Sequence, residues 1–265
     1  MLSFVRDAVA DARESYTYNI HTGNMISKNG IRITYDNMNR LTGYGSETYS
    51  YDRMGNLTRQ PRVGNFSYNG FKVDKMTPAG INFLDGDLHI SYYKAIERPK
   101  SIENDRFKAE FYYDGNGDRY MMKVYEKISG TPTLSFTRYY YDADVEITVD
   151  SRGYHTHHIY AGGDAYTAPA VLIMSINEND CENYSSCIYQ ITRDNIGSAI
   201  LYANANYDCY QNSYSPWGVR TYKVGNNTYF YQPGEEPGYD PFYRTYTGHE
   251  DLWMFGLINA KVAIK

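Results

Sequence analysis

Two segments of this chain, sixteen residues apart, carry almost the same sentence. The first reads Tyr35-Asp36-Asn37-Met38-Asn39-Arg40-Leu41-Thr42 and the second Tyr51-Asp52-Arg53-Met54-Gly55-Asn56-Leu57-Thr58. A unit this short cannot bury an apolar face alone, so it must stack on its neighbours. Weaker copies lie at related spacing: Tyr18-Asn19 comes seventeen residues before Tyr35, and Tyr68-Asn69 seventeen after Tyr51. Tyr113-Asp114-Gly115-Asn116-Gly117 restores the full form, and Tyr141-Asp142 opens a further copy. Within each unit the Asp side chain can accept hydrogen bonds from backbone two residues on, and Gly or Asn tolerates positive φ. Leu57-Thr58 then leads out into a strand, and Phe66-Ser67-Tyr68 forms the returning one. The pattern predicts antiparallel hairpins turning at 36–40, 52–56 and 114–118, with the repeat tyrosines on one face.

Composition supports a half-buried sheet. Tyrosine occurs 31 times, against 10 Phe and 2 Trp, and tyrosine suits a pleated surface with one face packed and a hydroxyl to spare. Residues 2–14 are the exception: Leu2, Val5, Val9 and Ala12 recur at helical spacing, which predicts a short N-terminal helix. The net charge is −5, and Arg53, Arg59 and Arg62 are the nearest approach to a basic stripe. This excludes nucleic acid as a partner on electrostatic grounds. The most apolar run, 168–176, is far too short for a membrane span. The N-terminus lacks the charged-then-apolar form of a secretory signal. Cys181, Cys187 and Cys209 are too few for a disulfide framework, although the first two could pair across a loop.

Beyond about residue 150 the character changes. Tyr160-Ala161-Gly162-Gly163-Asp164 precedes an apolar run; Asp194-Asn195-Ile196-Gly197-Ser198 precedes another. Tyr214-Ser215-Pro216-Trp217-Gly218 is a turn with an aromatic anchor, and the Gly and Pro cluster across 225–241 reads as a loop. Tyr246-Thr247-Gly248-His249-Glu250 then leads to Phe255-Gly256-Leu257-Ile258-Asn259.

The Tyr-Asp units resemble the YD repeat of Rhs proteins. Their carriers are Tyr35, Asp36, Asn39, Leu41, Tyr51, Asp52, Gly55, Asn56, Leu57, Tyr113, Asp114 and Gly117. The later motifs, in this order, resemble the Rhs core-associated region: Gly162, Gly163 and Asp164; Asp194, Gly197 and Ser198; Pro216, Trp217 and Gly218; Thr247, Gly248, His249 and Glu250; Phe255 and Gly256. The resemblance covers most of 17–259. It departs at the end, where the family continues with a Gly-Arg-x-Tyr-Asp-Pro type of segment and this chain reads Asn259-Ala260-Lys261-Val262. The end of the core, its processing site and a C-terminal toxin are therefore expected to be absent.

Few residues offer chemistry. His155 and His157 share a strand face, which permits two metal ligands, but no Cys or carboxylate pair completes a zinc site. Asp114 to Asp118 imitates the start of a calcium loop, yet Arg119 and Tyr125 stand where Gly and Glu are needed. Acid pairs such as Asp142 with Asp144 and Asp85 with Asp87 lack a sign of a closed pocket, and no serine sits in a Gly-x-Ser-x-Gly elbow. No catalytic residue, metal or cofactor is expected.

The resemblance implies an all-β fold of YD-repeat hairpins stacked into a curved, spiralling sheet, part of a hollow shell. It implies an N-terminal segment over 1–16, repeats over 17–150 and a truncated core-associated region over 151–265. The implied role is non-catalytic: enclosing and delivering a C-terminal polymorphic toxin in bacterial competition, as part of a longer exported chain that is secreted or on the cell surface. Its partners would be the rest of that chain, its toxin cargo or an immunity protein. A surface module binding carbohydrate or mediating adhesion is the alternative, since Tyr-rich sheets suit stacking on sugar rings; a non-functional remnant is a third. A partial shell leaves strand edges open, so self-association is expected when the chain is isolated.

Overall fold

The computed structural model describes residues 4–7, 12–61, 63–79, 85–206, 208–214, 220–224, 227–230 and 242–259. These fall into two compact units, Met1–Ile81 and Asn82–Lys265. The expected fold class holds: the elements are strands joined by tight turns, and every strand pairing among the described residues is antiparallel.

The first unit contains β1 (Phe4–Asp7), β2 (Ala12–Tyr18), β3 (Met25–Lys28), β4 (Ile31–Tyr35), β5 (Leu41–Tyr44) and β6 (Glu47–Thr48), paired in sequence order. It continues with β7 (Ser50–Tyr51), β8 (Leu57–Gln60), β9 (Gly64–Asn69) and β10 (Lys72–Pro78), again paired in order. The N-terminal helix is not found. Strands β1 and β2 pair from Phe4↔Ser15 to Asp7↔Ala12. The helical spacing of four apolar residues is a weak prior, and pairing with an adjoining sheet overrides it.

The turns are one device used repeatedly. In the 36–40 turn, Asp36 N–H donates to the Arg40 carbonyl at 2.9 Å, and Asp36 Oδ1 accepts the N–H groups of Met38 and Arg40, each at 2.9 Å. The 52–56 turn does the same through Asp52 Oδ1, with Met54 and Asn56 as donors, and the 114–118 turn through Asp114, with Asn116 and Asp118. Two further copies carry no Tyr-Asp pair: Asp150 accepts from Arg152 and Tyr154, and Asn204 from Asn206 and Asp208. The fourth position is left-handed, at φ 60° for Asn39 and 92° for Gly55. A Cβ on Gly55 would meet only Arg40 Nη1, at an ordinary 3.6 Å, so only conformation is at stake there. Gly55→Ala is therefore expected to cost about 1–2 kcal/mol. Gly115→Ala, at a position with open space and no positive φ, is expected to stay within about 0.5 kcal/mol. Urea unfolding of both variants checks the difference.

Stacking between units is carried by tyrosine hydroxyls. Across each turn a tyrosine faces the first residue of the next strand: Tyr18↔Met25, Tyr35↔Leu41 and Tyr51↔Leu57. The hydroxyl of the following tyrosine then donates to that residue's carbonyl. Tyr35 Oη reaches Met25 O at 2.8 Å, Tyr51 Oη reaches Leu41 O at 2.9 Å, and Tyr68 Oη reaches Leu57 O at 2.7 Å. Arg40 lies over the Tyr51 ring at 4.7 Å and binds Asp36 at 2.7 Å, tying a turn to the next unit. The repeat tyrosines thus have a specific function, since among the described residues of this unit the buried large apolar side chains are Ile33 and Met76.

The second unit is a meander in which each strand pairs with the next. Its strands are β11 (Leu88–Tyr92), β12 (Pro99–Glu103), β13 (Phe107–Tyr113), β14 (Arg119–Ile128), β15 (Thr131–Tyr141), β16 (Val145–Asp150) and β17 (Tyr154–Ala161). They continue through β18 (Ala170–Asn177), β19 (Asp180–Arg193), β20 (Ala199–Ala203), β21 (Cys209–Tyr214), β22 (Arg220–Val224) and β23 (Asn227–Phe230). The last of these corrects the loop read across 225–241: Asn227–Phe230 pairs with Arg220–Val224, because Thr228, Tyr229 and Phe230 favour a strand despite the surrounding Gly and Pro. Cys187 and Cys209 are free thiols, and the Cys181 side chain lies outside those the structure describes. Among the described residues no helix is long and apolar enough to cross a membrane.

Candidate functional site

The chain's last described stretch, 242–259, forms short pieces: two 3₁₀ turns (Tyr246–Gly248 and Trp253–Phe255) and a hairpin of β24 (Glu250–Leu252) with β25 (Leu257–Asn259). We call it the closing segment. It is buried against one face of the second unit's sheet. Phe242 stacks on Tyr202 with centroids 3.5 Å apart, within a cluster that includes Tyr160, Val171 and Tyr189. At the other end Trp253 meets Phe107 edge-on at 5.3 Å, and Phe255 is fully buried.

Between these apolar anchors lies a buried charge cluster. Glu250 is 0% exposed. Its Oε1 accepts from Arg138 Nη1 and from the Tyr140 hydroxyl, each at 2.6 Å, and its Oε2 pairs with Arg119. Arg138 also donates through Nε to Thr148 at 3.1 Å and lies 3.6 Å above the Tyr243 ring. Glu146 Oε1 pairs with Arg244, and Glu146 Oε2 accepts from Tyr160 Oη at 3.3 Å. His158, 1% exposed, packs on Tyr243 at 4.7 Å. The strands set this up by alternation: Arg138 and Tyr140, Glu146 and Thr148, and His158 and Tyr160 each recur at period two, and the registers Arg138↔Thr148, Tyr140↔Glu146 and Glu146↔His158 align them.

Burial alone would raise the Glu250 carboxyl, but Arg119, Arg138 and Arg244 together hold it well below the usual carboxylate range. Burial pushes the Tyr140 and Tyr160 hydroxyls well above the usual tyrosine value. The cluster therefore holds ionised Glu250 and neutral phenols at neutral pH. It offers no exposed nucleophile, and its chemistry is that of a polar lock.

Four of the five expected core-associated motifs fall among the described residues, and they converge here. Gly162, Gly163 and Asp164 form a turn in which Asp164 Oδ1 accepts from Tyr166 and Thr167. A Cβ at Gly163 would lie 2.7 Å from Thr167 Oγ1. The turn presents Tyr166 to His249, edge-on at 5.6 Å, and to Arg244, at 4.9 Å. Asp194, Gly197 and Ser198 form another copy of the repeat turn. Buried Ser198 Oγ accepts from Thr247 N–H at 3.0 Å, and Thr245 O accepts from Ala199 N–H. Thr247 and Gly248 take positive φ at 52° and 71°, which brings Gly248 against Tyr166. Gly256 ends the second 3₁₀ turn in a left-handed conformation. Pro216, Trp217 and Gly218 lie outside the described residues.

Sequence does not mark Arg138, Glu146, Arg244 or Phe242 as site residues, and it shows Arg119 and Tyr160 only as neighbours of turn motifs. The period-two charges in strand-forming runs were the available signal. His155 and His157 do share a face, with rings 6.3 Å apart, while the buried histidine is their neighbour His158.

No protein-family model and no curated protein matches the sequence. Among solved structures, the fold is similar to part of a chain in the Photorhabdus luminescens Tc holotoxin pore, carrying an aspartate-to-alanine mutation in TccC3. That match has TM-score 0.50 and 16% identity, covering 96% of this chain and 15% of that one. A crystal structure of TcdB2-TccC3 matches at TM-score 0.45 and 13% identity, covering 96% and 17%. The chain thus spans about a sixth of the chains it matches.

Proposed function

We propose that this chain is the repeat-and-closing portion of an Rhs-type shell that encloses a C-terminal toxin carried by a longer, exported protein used in bacterial competition. The observation carrying this reading is the closing segment, which a buried lock of charges pins to the face of a repeat-built sheet. A wall of stacked units supports enclosure, and a pinned segment supports closure of one end. The fold likeness to a Tc holotoxin chain favours the same reading. In it the chain is non-catalytic, and its partners are the rest of the longer chain, the cargo and a cognate immunity protein.

The test is protection. Expressed with its native flanking sequence, the protein is expected to hold a downstream passenger resistant to trypsin until the shell is unfolded. Cleavage of the passenger at the rate of an unenclosed chain would overturn the proposal. A flanking cell-wall anchor in place of a passenger, with retention on polysaccharide resin, would instead support adhesion.

A further inference from the structure

The charge cluster is unbalanced. Among the described residues it contains three guanidinium groups, Arg119, Arg138 and Arg244, against two carboxylates, Glu146 and Glu250. Both oxygens of each carboxylate are already engaged. Arg244 is 6% exposed, yet only its Nη2 has an acceptor; Nε and Nη1 are buried with no hydrogen-bond partner among the described residues. His249 Nδ1 is likewise buried with no partner at hydrogen-bond geometry, although the Thr247 backbone interacts with its ring. Arg244 and His249 are brought together by the hairpin in which Thr245 N–H donates to His249 O at 2.9 Å, and both side chains lie against Tyr166.

We infer that Arg244 and His249 bind a small oxyanion, of carboxylate or phosphate type, beneath the closing segment. A buried cationic donor without an acceptor is strongly disfavoured. Glu146 Oε1 occupies one direction of Nη2, leaving its second hydrogen to form a fork with Nε or Nη1. Such a fork matches two oxygens of an oxyanion, and His249 Nδ1, in its N–H tautomer, supplies a further donor. A buried water would satisfy a donor but leave the excess positive charge. A bound anion answers both, and it ties the segment to Tyr166 and the Gly162-Gly163-Asp164 turn. This site does not depend on the shell reading. Its anion could come free from solution or as a carboxylate side chain of another segment.

The experiment is thermal unfolding of the full 265-residue chain in phosphate or acetate, each against chloride at equal ionic strength. Between 0 and about 20 mM, preferential exclusion is a minor effect. The expected result is a saturating rise of about 2–4 °C in the midpoint. Preference for phosphate indicates a free oxyanion, and preference for acetate a carboxylate side chain. In His249→Phe, which keeps an aromatic ring on Tyr166, the apparent affinity should fall at least tenfold. Arg244→Lys keeps the charge facing Glu146 but loses the fork; where it folds it should lose the response, and where it does not, His249→Phe decides. A non-saturating rise, no rise, or an equal response in wild type and His249→Phe would overturn the site.

Discussion

Replacing Glu250 by glutamine is expected to destabilise the second unit by about 3–5 kcal/mol, the range for removing one partner of a buried ion pair. Glutamine keeps the shape but removes the carboxylate that buried Arg119 and Arg138 share, and turns an amide donor toward one of them. Urea unfolding followed by Trp253 fluorescence in a Trp217→Phe background checks this, because Trp253 lies in the closing segment beside Phe107. The pH dependence has a defined sign. Glu250's folded pKa is depressed, so its contribution is fully present above the unfolded glutamate value of about 4.3. It is lost as pH falls through the lower folded value. Wild type should lose stability in that acid window, and the glutamine variant should lose correspondingly less. A variant as stable as wild type, or with the same acid profile, would show that the lock does not hold the segment.

Tyr51→Ala is expected to cost about 3 kcal/mol, at the low end for loss of a large side chain. It removes the half-buried ring, its contact with Arg40 and the hydroxyl bond to Leu41. Tyr51→Phe isolates the hydroxyl and should cost about 1 kcal/mol. Any polar change at exposed Arg53, two residues on, should stay within about 0.5 kcal/mol. Denaturant midpoints of the three proteins give the ordering. Equal tolerance at 51 and 53 would mean that the repeat tyrosines do not join the units.

The turns and strand directions were legible because they are local: an aspartate, two free positions and a left-handed Gly or Asn determine a turn within five residues. Even so, Asp150-Ser151-Arg152-Gly153-Tyr154 went unread, since no Tyr-Asp pair announced it. The N-terminal segment was misread because four apolar residues fit a helix as well as a strand, and only pairing decides. The lock was invisible for a different reason. Glu250 meets Arg138 across 112 residues of chain, and a sequence shows that Arg138 alternates with Tyr140 without showing what will lie above them. The motif Thr247-Gly248-His249-Glu250 was marked, but not that its glutamate is the one that carries a buried charge.

The tyrosine ladder has a consequence for how such a chain changes over time. Each hydroxyl addresses a main-chain carbonyl, and that carbonyl is the same group whether Met25, Leu41 or Leu57 supplies it. The joint between units is therefore indifferent to most of the residues it joins. Whole units can be gained or dropped in register, and side chains elsewhere can drift, while the joint is rebuilt from one phenol and one peptide bond. A scaffold assembled this way is interchangeable by parts.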